Sequence, residues 1–297
     1  NILGKAEFMN PGQSVKDRAA LFIIEDAVAK GQLRPGGVIV EGTAGNTGIG
    51  LALVCNARGY RCLIVMPDNQ SPEKYALMEA MGAQVQRVPP VPYSDPNHYQ
   101  RMARRLAEEL ADGYWANQFD NVENRRAHFE TTGPEIWEQT GGRIDAFVSA
   151  SGTGGTLAGV AAYLKSRNPA VRTVLADPPG SALYEYIRSG VPRVTGSGSI
   201  TEGIGIGRVT ANMQDAPIDE ALHVTDDEAV HWVYRLLREE GLFVSTTSGV
   251  NVAAAVRVAR QLGPGHVVVT VLCDSGAKYV SRLFNRDWLA QKGLLGA

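Results

Sequence analysis

Residues 144–167 read "IDAFVSASGTGGTLAGVAAYLKSR" and combine the signals of a strand, a turn and a helix. The segment "IDAFVSA" (144–150) is a short apolar run of buried-strand length, and "LAGVAAYLKSR" (157–167) has the length and apolar content of a helix. The glycine-rich stretch "SGTGGT" (151–156) joins the two. A strand that runs through a glycine-rich turn into a helix is the building unit of parallel α/β sheets.

The same alternation extends to both sides of this stretch. Further apolar runs of strand length are "GVIVEG" (37–42), "YRCLIVMP" (60–67), "QVQRVP" (84–89), "VRTVLADP" (171–178) and "HVVVTVLCD" (266–274). Four other stretches have the length of helices and the residues that typically start and end them. They are residues 10–31, 46–59, 71–83 and 95–113. Strands that are apolar on both faces and alternate with helices predict an α/β fold with mainly parallel sheets, covered on both sides.

Two segments have no clear periodicity. Residues 88–96, "VPPVPYSDP", contain four prolines and are expected to form a surface loop. Residues 189–209 are rich in glycine and serine and are long for a passive connection. Loops of that length in compact proteins are typically functional or mobile, so a functional role is expected for the second segment.

The composition narrows the class of protein. The chain has 297 residues, of which 44% are hydrophobic, and its formal net charge is −2, which favours neither nucleic acid nor an anionic membrane as a partner. No apolar run approaches the roughly 18–20 residues that span a bilayer. The three cysteines, Cys55, Cys62 and Cys273, lie in apolar runs without CxxC spacing, which predicts reduced thiols in a cytoplasmic protein. The five histidines lack metal-ligand spacing, so no metal is expected.

The glycine-rich stretch after the strand at 144–150 is a candidate phosphate site, which we call the phosphate cup (residues 152–156). Gly152, Gly154 and Gly155 leave backbone N–H groups accessible, Thr153 and Thr156 add hydroxyl groups, and the helix dipole favours an anion. No lysine follows as in a P-loop, and the third position of a GxGxxG dinucleotide motif is leucine. A small monophosphate therefore fits better than a nucleotide, although a structural turn alone explains the same glycines.

Two further loops lie at predicted strand ends. In "EGTAGNTGIG" (41–50), hydroxyl, amide and backbone N–H groups at a helix start suit a carboxylate, and ordinary helix capping is the alternative. In "LCDSGAKY" (272–279), Ser275 is suited either to capping a helix or to binding a ligand.

The segment "NPGQSVKDR" (10–18) places a lysine at an unusual position. Ser14 and Asp17 predict an acidic variant of the capping box, which puts Lys16 in the first helical turn. A cation there opposes the helix dipole, at a cost of a few tenths to about 1 kcal/mol. An amine that is desolvated or condensed with an aldehyde loses its charge, and the conflict disappears.

Taken in order along the chain, seven motifs resemble the cysteine synthase and cystathionine β-synthase group of fold-type II pyridoxal 5′-phosphate (PLP) enzymes. They are "NPGQSVKDR", "GTAGNTGIGLAL", "NQFDN", "SGTGGTLAG", "EGIGIG", "TTSGVNVAAA" and "CDSGAKY". The resemblance implies two open twisted α/β domains, as in tryptophan synthase β. Residues 14–122 would form the smaller, mobile substrate-loop domain, and residues 1–13 with 123–297 the larger cofactor-phosphate domain. It also implies a homodimer that acts on amino acids and sulfide.

The same resemblance assigns roles to single residues. It implies that Lys16 forms the Schiff base with PLP and takes the substrate α-proton. The phosphate would be held by Gly152, Thr153, Gly154, Gly155 and Thr156. Asn46 would contact the 3′-oxygen, and Ser275 the pyridine nitrogen. The amino-acid carboxylate would be bound by the substrate loop, defined as residues 43–47 (Thr43, Ala44, Gly45, Asn46 and Thr47), together with Gln118; Gly203 would lie on the loop that closes near the substrate amine.

The implied reaction is β-replacement through an aminoacrylate, forming L-cysteine from an O-activated serine such as O-acetylserine and sulfide. Two departures from the group's pattern leave alternatives open: Ala44 stands where serine is usual, and Gly42 where proline is usual. The alternatives are cysteine desulfhydrase, which releases sulfide, pyruvate and ammonia, and cystathionine β-synthase. A nucleotide-binding dehydrogenase is disfavoured because the GxGxxG motif is missing.

Overall fold

The structure, a computed structural model, describes residues 1–296, and the strands within them form two sheets. The strands are β1 (Ile2–Ala6), β2 (Val38–Gly42), β3 (Arg61–Pro67), β4 (Gln84–Val88), β5 (Gly113–Trp115), β6 (Ala146–Ala150), β7 (Arg172–Asp177), β8 (Glu220–His223) and β9 (Val268–Leu272). One sheet has the order β1-β9-β6-β7-β8, and the other has the order β4-β3-β2-β5. Every strand pairing in both sheets is parallel, which confirms the predicted α/β fold.

Helices follow most of the strands. They are α1 (Lys16–Ala29), α2 (Asn46–Arg58), α3 (Pro72–Ala80), α4 (Tyr99–Glu109), α5 (Glu123–Ala127), α6 (Gly133–Gln139), α7 (Gly155–Arg167), α8 (Leu183–Ser189), α9 (Asp226–Glu240), α10 (Thr246–Leu262) and α11 (Arg286–Gln291). A π-helical turn, His128–Thr132, lies between α5 and α6. Within residues 1–296, no helix is both long enough and apolar enough to cross a membrane.

Each sheet is covered on both faces, and the side chains of its strands alternate between two cores. In the four-stranded sheet, Ile39 packs on the face covered by α1 and α2, and Val40 packs on the face covered by α4. In the five-stranded sheet, the neighbouring residues Phe147 and Val148 likewise pack into two different cores on opposite faces. The three cysteines are buried and free. Burial on both faces explains why the strands read as continuous apolar runs.

The sequence missed the three strands that carry the weakest signal. β5 has three residues and β8 has four, while β1 contains glycine and lysine and lies at a sheet edge. A short strand at the edge of a sheet can form without a clear apolar pattern of its own, because backbone hydrogen bonds to the neighbouring strand hold it in place. The four strands of the smaller sheet are contiguous in sequence, between residues 38 and 115. The division at residues 14–122, and the mobility of that part, remain predictions.

The predicted capping box at the start of α1 is wrong. Val15 occupies the N-cap position without a side-chain hydrogen bond. Ser14 Oγ instead accepts a hydrogen bond from the backbone N–H of Lys16 at 3.3 Å, and the Asp17 carboxylate accepts one from the N–H of Gly12 at 2.5 Å. Lys16 is nevertheless the first residue of the helix, as expected.

Candidate active site

A cavity of about 330 Å³ lies where loops from both sheets meet. It is bordered by residues that follow the carboxyl ends of β2, β6 and β9 and by the start of α1. Ligands in open α/β sheets bind beyond the carboxyl ends of the strands, so the position of this cavity is that of a binding site.

Lys16 is held at the cavity by the backbone that follows the carboxyl end of β9. The N–H of Val15 donates to the carbonyl of Cys273 at 2.9 Å, and Ser14 forms a bridge with Asp274. The turn before it contains Gln13 at φ +58°, a left-handed conformation that is uncommon outside glycine. Lys278 Nζ donates to the Gln13 carbonyl at 3.1 Å. The segment that carries the lysine is therefore tied to the larger sheet.

The electrostatic setting of Lys16 makes its amine easier to deprotonate. Burial lowers the pKa of the Lys16 amine, and the nearby carboxylate of Asp274 opposes this effect only in part. Lys16 forms no salt bridge with any residue of the range 1–296. A lysine that loses its proton readily is suited to condense with an aldehyde and to act as a base.

The phosphate cup is built at the amino end of α7. Gly154 occupies the N-cap position of this helix at φ +91°, so the first backbone N–H groups point out of the helix end. A Cβ on Gly152 would overlap the carbonyl oxygen of Gly203. The glycines therefore allow close packing of the cup against a second loop, besides leaving the N–H groups accessible.

An orphaned polar atom next to the cup supports a bound anion. Ser151 is 2% exposed and lines the cavity, and its Oγ has no hydrogen-bond partner among residues 1–296. Buried hydroxyl groups are nearly always hydrogen-bonded, so this atom is available for a ligand. Together with the N–H groups of the helix end, it fits the phosphate of PLP.

Side chains that the sequence did not single out support the cup from outside. Asn124 Nδ2 donates to Thr153 Oγ1 at 2.9 Å, and Thr156 Oγ1 lies 3.2 Å from His128 Nε2. Burial, followed by the charge of Lys16, lowers the pKa of His128 well below its usual value, so the ring is neutral. His128 was considered only as one of five scattered histidines, because its sequence neighbours carry no metal or nucleophile pattern.

The substrate loop forms the opposite side of the cavity. Thr43 Oγ1 accepts from the Gly45 N–H at 3.1 Å, and Gly45 has φ +145°, which suits glycine. Thr47 Oγ1 donates to Gln118 Oε1 at 2.5 Å, while Gln118 Nε2 donates to the Gly42 carbonyl at 3.3 Å. This network orders the loop and brings Gln118 beside it, as the resemblance implied.

Asn46, at the first position of α2, connects the loop to the end of β9. Its Nδ2 donates to Asp274 Oδ2 at 2.7 Å, and its Oδ1 accepts from Lys278 Nζ at 3.0 Å. Burial lowers the pKa of Lys278 to about 8. A contact of Asn46 with the cofactor 3′-oxygen stays a prediction.

The structure gathers most of the predicted site residues around the one cavity. The predicted residues that line it are Lys16, Thr43, Ala44, Gly45, Asn46, Thr47, Gln118, Gly152, Thr153, Gly154, Thr156 and Gly203. Gly155 and Ser275 do not line it. Ser275 Oγ accepts from the Ala277 N–H at 3.2 Å and caps a short 3₁₀ turn, the alternative considered for it. Its contact with the pyridine nitrogen stays a prediction.

Several side chains in the lining were not among the predicted site residues. Among them are Lys74, Tyr93, His98, Tyr99, Gln100 and Glu202. The proline-rich segment 88–96 was expected to be a surface loop, yet Tyr93 reaches the cavity. Glu202 begins the quoted motif "EGIGIG", although only Gly203 was assigned a role there. The other residues come from segments that lack glycine-rich or strand-end signals, so sequence patterns did not single them out.

Comparison with known proteins agrees with this geometry. Residues 1–274 match the family described as pyridoxal-phosphate dependent enzyme, and the chain belongs to that family. Cysteine synthase 1 of Neurospora crassa is 56% identical over the whole chain and 80% of its own length, and cysteine synthase 1 of Emericella nidulans is 54% identical over the whole chain and 81% of its length.

A solved structure, the O-acetylserine dependent cystathionine β-synthase from Helicobacter pylori, has a TM-score of 0.86 and 34% identity, covering 95% of this chain and 89% of that one. These relatives confirm the resemblance to the cysteine synthase and cystathionine β-synthase group, the fold-type II architecture and PLP as cofactor.

Proposed function

We propose that the protein forms L-cysteine from an O-activated serine, O-acetylserine in the first instance, and sulfide. The observation that carries the proposal is the meeting, in one cavity, of a lysine with lowered pKa, the phosphate cup and the substrate loop. The fungal relatives named cysteine synthase, at 54–56% identity, support the reaction. The Helicobacter pylori enzyme, which is named as O-acetylserine dependent, supports the donor.

Different residues of this chain have different tasks in the proposed reaction. Bound PLP supplies an aldehyde and an electron-withdrawing ring that stabilises negative charge at the substrate α-carbon. Lys16 would hold the aldehyde carbon and, once displaced by the substrate amine, accept the α-proton. The phosphate cup anchors the cofactor, and Thr47 and Gln118 would orient the substrate carboxylate. The buried position of Lys16 lowers the cost of its neutral form, as both tasks require.

Cystathionine formation is the second candidate, because the Helicobacter pylori neighbour is named for that reaction and for O-acetylserine. It would use the same donor and the same first half of the reaction. The two candidates differ in the sulfur acceptor, which is either sulfide or homocysteine. Cysteine desulfhydrase activity would need cysteine as donor and water in place of an acceptor.

The experiment is a donor and acceptor panel on the purified protein. We expect a yellow protein whose visible absorbance changes on addition of O-acetylserine and whose main product with sulfide is cysteine. Lys16→Ala should abolish the absorbance of the linked cofactor, and Lys292→Ala, at an exposed position, should leave it unchanged. Preferred sulfide release from cysteine, with negligible synthesis from O-acetylserine, would overturn the proposal. Protein that binds no added PLP would overturn its basis.

We further propose a homodimer in the cytoplasm, with residues 14–122 as a mobile part. The group resemblance supports the dimer and the mobile part, and the three buried free thiols support a reducing compartment. Light scattering of the purified protein tests the mass, and hydrogen exchange with and without O-acetylserine tests the mobility.

A further inference from the structure

One side of the cavity is formed by four side chains that precede and begin α4. We call Tyr93, His98, Tyr99 and Gln100 the α4 wall, and all four line the cavity. Tyr93 and His98 meet edge to face with ring centroids 5.2 Å apart, and the His98 and Tyr99 centroids are 4.2 Å apart. Gln100 Nε2 donates to the Tyr99 hydroxyl at 3.1 Å. The four side chains thus form one packed layer.

Gly42 determines how close this layer stands to the substrate loop. A Cβ at this position would lie 2.7 Å from Gln100 Cα and 2.8 Å from the Tyr99 carbonyl oxygen. Real Cβ atoms do not approach backbone so closely, and backbone atoms at a helix start cannot easily give way. Gly42, the residue that departs from the usual proline, therefore lets the α4 wall stand directly beside Thr43, the first residue of the substrate loop.

The Tyr93 end of the layer is held in place by Arg208, which also lines the cavity. Arg208 lies over the Tyr93 ring at 5.1 Å and over the Phe119 ring at 5.8 Å. Its guanidinium donates to both carboxylate oxygens of Asp120, at 2.9 and 2.8 Å. A bidentate pair of this kind holds the guanidinium in one orientation. Tyr93 is therefore backed by a fixed cation on the cavity side.

We propose that the α4 wall selects the sulfur acceptor by size, admitting hydrosulfide and excluding thiols that carry a carbon chain. This inference rests on the proposed function and names the acceptor class of the same site. In the reaction, the acceptor sulfur forms a bond to the substrate β-carbon, and the leaving carboxylate departs with the electron pair of the C–O bond. With hydrosulfide the products are cysteine and acetate. Homocysteine needs space for its chain beside the substrate loop, where Tyr99 and Gln100 stand.

The test compares Tyr99→Ala, which opens the layer, with Tyr99→Phe, which keeps its volume and removes only the hydroxyl. Both variants receive O-acetylserine and either sulfide or homocysteine, and kcat/KM is measured for each acceptor. We expect Tyr99→Ala to raise the homocysteine-to-sulfide ratio about tenfold or more, because pockets discriminate carbon groups by roughly 10–200-fold. Tyr99→Phe should leave the ratio at the wild-type value.

A separate spectroscopic measurement keeps the two proposals apart. The change in cofactor absorbance on adding O-acetylserine alone reports donor binding and activation, without any acceptor. If that change is absent from the wild type, the proposed function is wrong. If it is present and the acceptor ratio of Tyr99→Ala equals the wild-type ratio, the inference about the α4 wall is overturned. Should Tyr99→Ala fail to fold, Tyr93→Ala decides the question, since Tyr93 is 45% exposed.

Discussion

The ion pair between Lys74 and Glu202 offers a quantitative test of how the two sheets are joined. Lys74 lies on α3, beside the smaller sheet, and Glu202 lies in the loop between α8 and β8 of the larger sheet. Lys74 Nζ and Glu202 Oε2 are 2.5 Å apart, and their side chains are only 2% and 9% exposed. Glu202 also accepts from Arg282 at 2.7 Å, but Arg282 is 23% exposed and can be solvated.

Glu202→Gln is the perturbation, because it removes the charge and keeps the shape. Removing one partner of a buried ion pair costs about 3–5 kcal/mol, since the other charge stays buried without compensation. The Tyr279 ring lies 4.5 Å from Lys74 Nζ and offsets roughly 1 kcal/mol of that cost. We therefore expect a loss of about 2–4 kcal/mol, which corresponds to a fall in Tm of about 3–6 °C for a chain of this size.

The assay is a double-mutant cycle with Lys74→Met, followed by urea and thermal unfolding. Lys74→Met in the Glu202→Gln background removes the stranded charge and should restore more than half of the lost stability. Glu108→Gln, which breaks an exposed pair with Arg104, serves as the control and should cost less than about 1 kcal/mol. The reasoning is refuted if Glu202→Gln is as stable as the wild type, or if the double variant is no more stable than Glu202→Gln.

Three other predictions concern buried groups near the cavity. Ser151→Ala should weaken PLP binding several-fold without destabilising the cofactor-free protein, because its Oγ has no partner in residues 1–296; unchanged affinity in a PLP titration would contradict this. Gly152→Ala should weaken PLP binding about tenfold or more, because its Cβ would overlap the Gly203 carbonyl oxygen, and a wild-type titration curve would disprove the packing role. Burial raises the pKa of Glu41 to about 8, so the folded protein retains a proton that the unfolded chain loses above its usual pKa of 4.5. The stability that this group contributes is complete below pH 4.5 and is lost as the pH rises to about 8. Glu41→Gln should therefore gain stability relative to the wild type as the pH rises over that interval, by as much as about 4 kcal/mol. Urea unfolding of both proteins at pH 5 and pH 8 measures this gain, and an equal difference in stability at the two pH values would contradict the prediction.

The elements and the loops differed in how well the sequence predicted them. Long apolar strands such as β9 and helices with clear ends, such as α2 with Gly59 at φ +73°, followed from local chemistry. The glycine-rich loops were recognisable because glycine and threonine at a strand end have few other uses. Tyr99 was not recognisable, because its placement at the cavity depends on tertiary packing between distant segments. The motif "EGIGIG" contains Glu202, but the pairing of Glu202 with Lys74 depends on tertiary packing in the same way. Gly42 shows the same limit, since its requirement appears only once the start of α4 is seen against it.

The position of β1 has a consequence for the order in which the chain is made. Ile2 pairs with Val268, so β1 cannot pair in the larger sheet until β9 has been synthesised. At roughly 5–20 residues per second, about 13–50 s separate the synthesis of the two partners on the ribosome. The four strands of the smaller sheet are complete once residue 115 has emerged. We therefore expect the smaller sheet to form during translation, while β1 stays without its partner strand until β9, which ends at Leu272, has been synthesised.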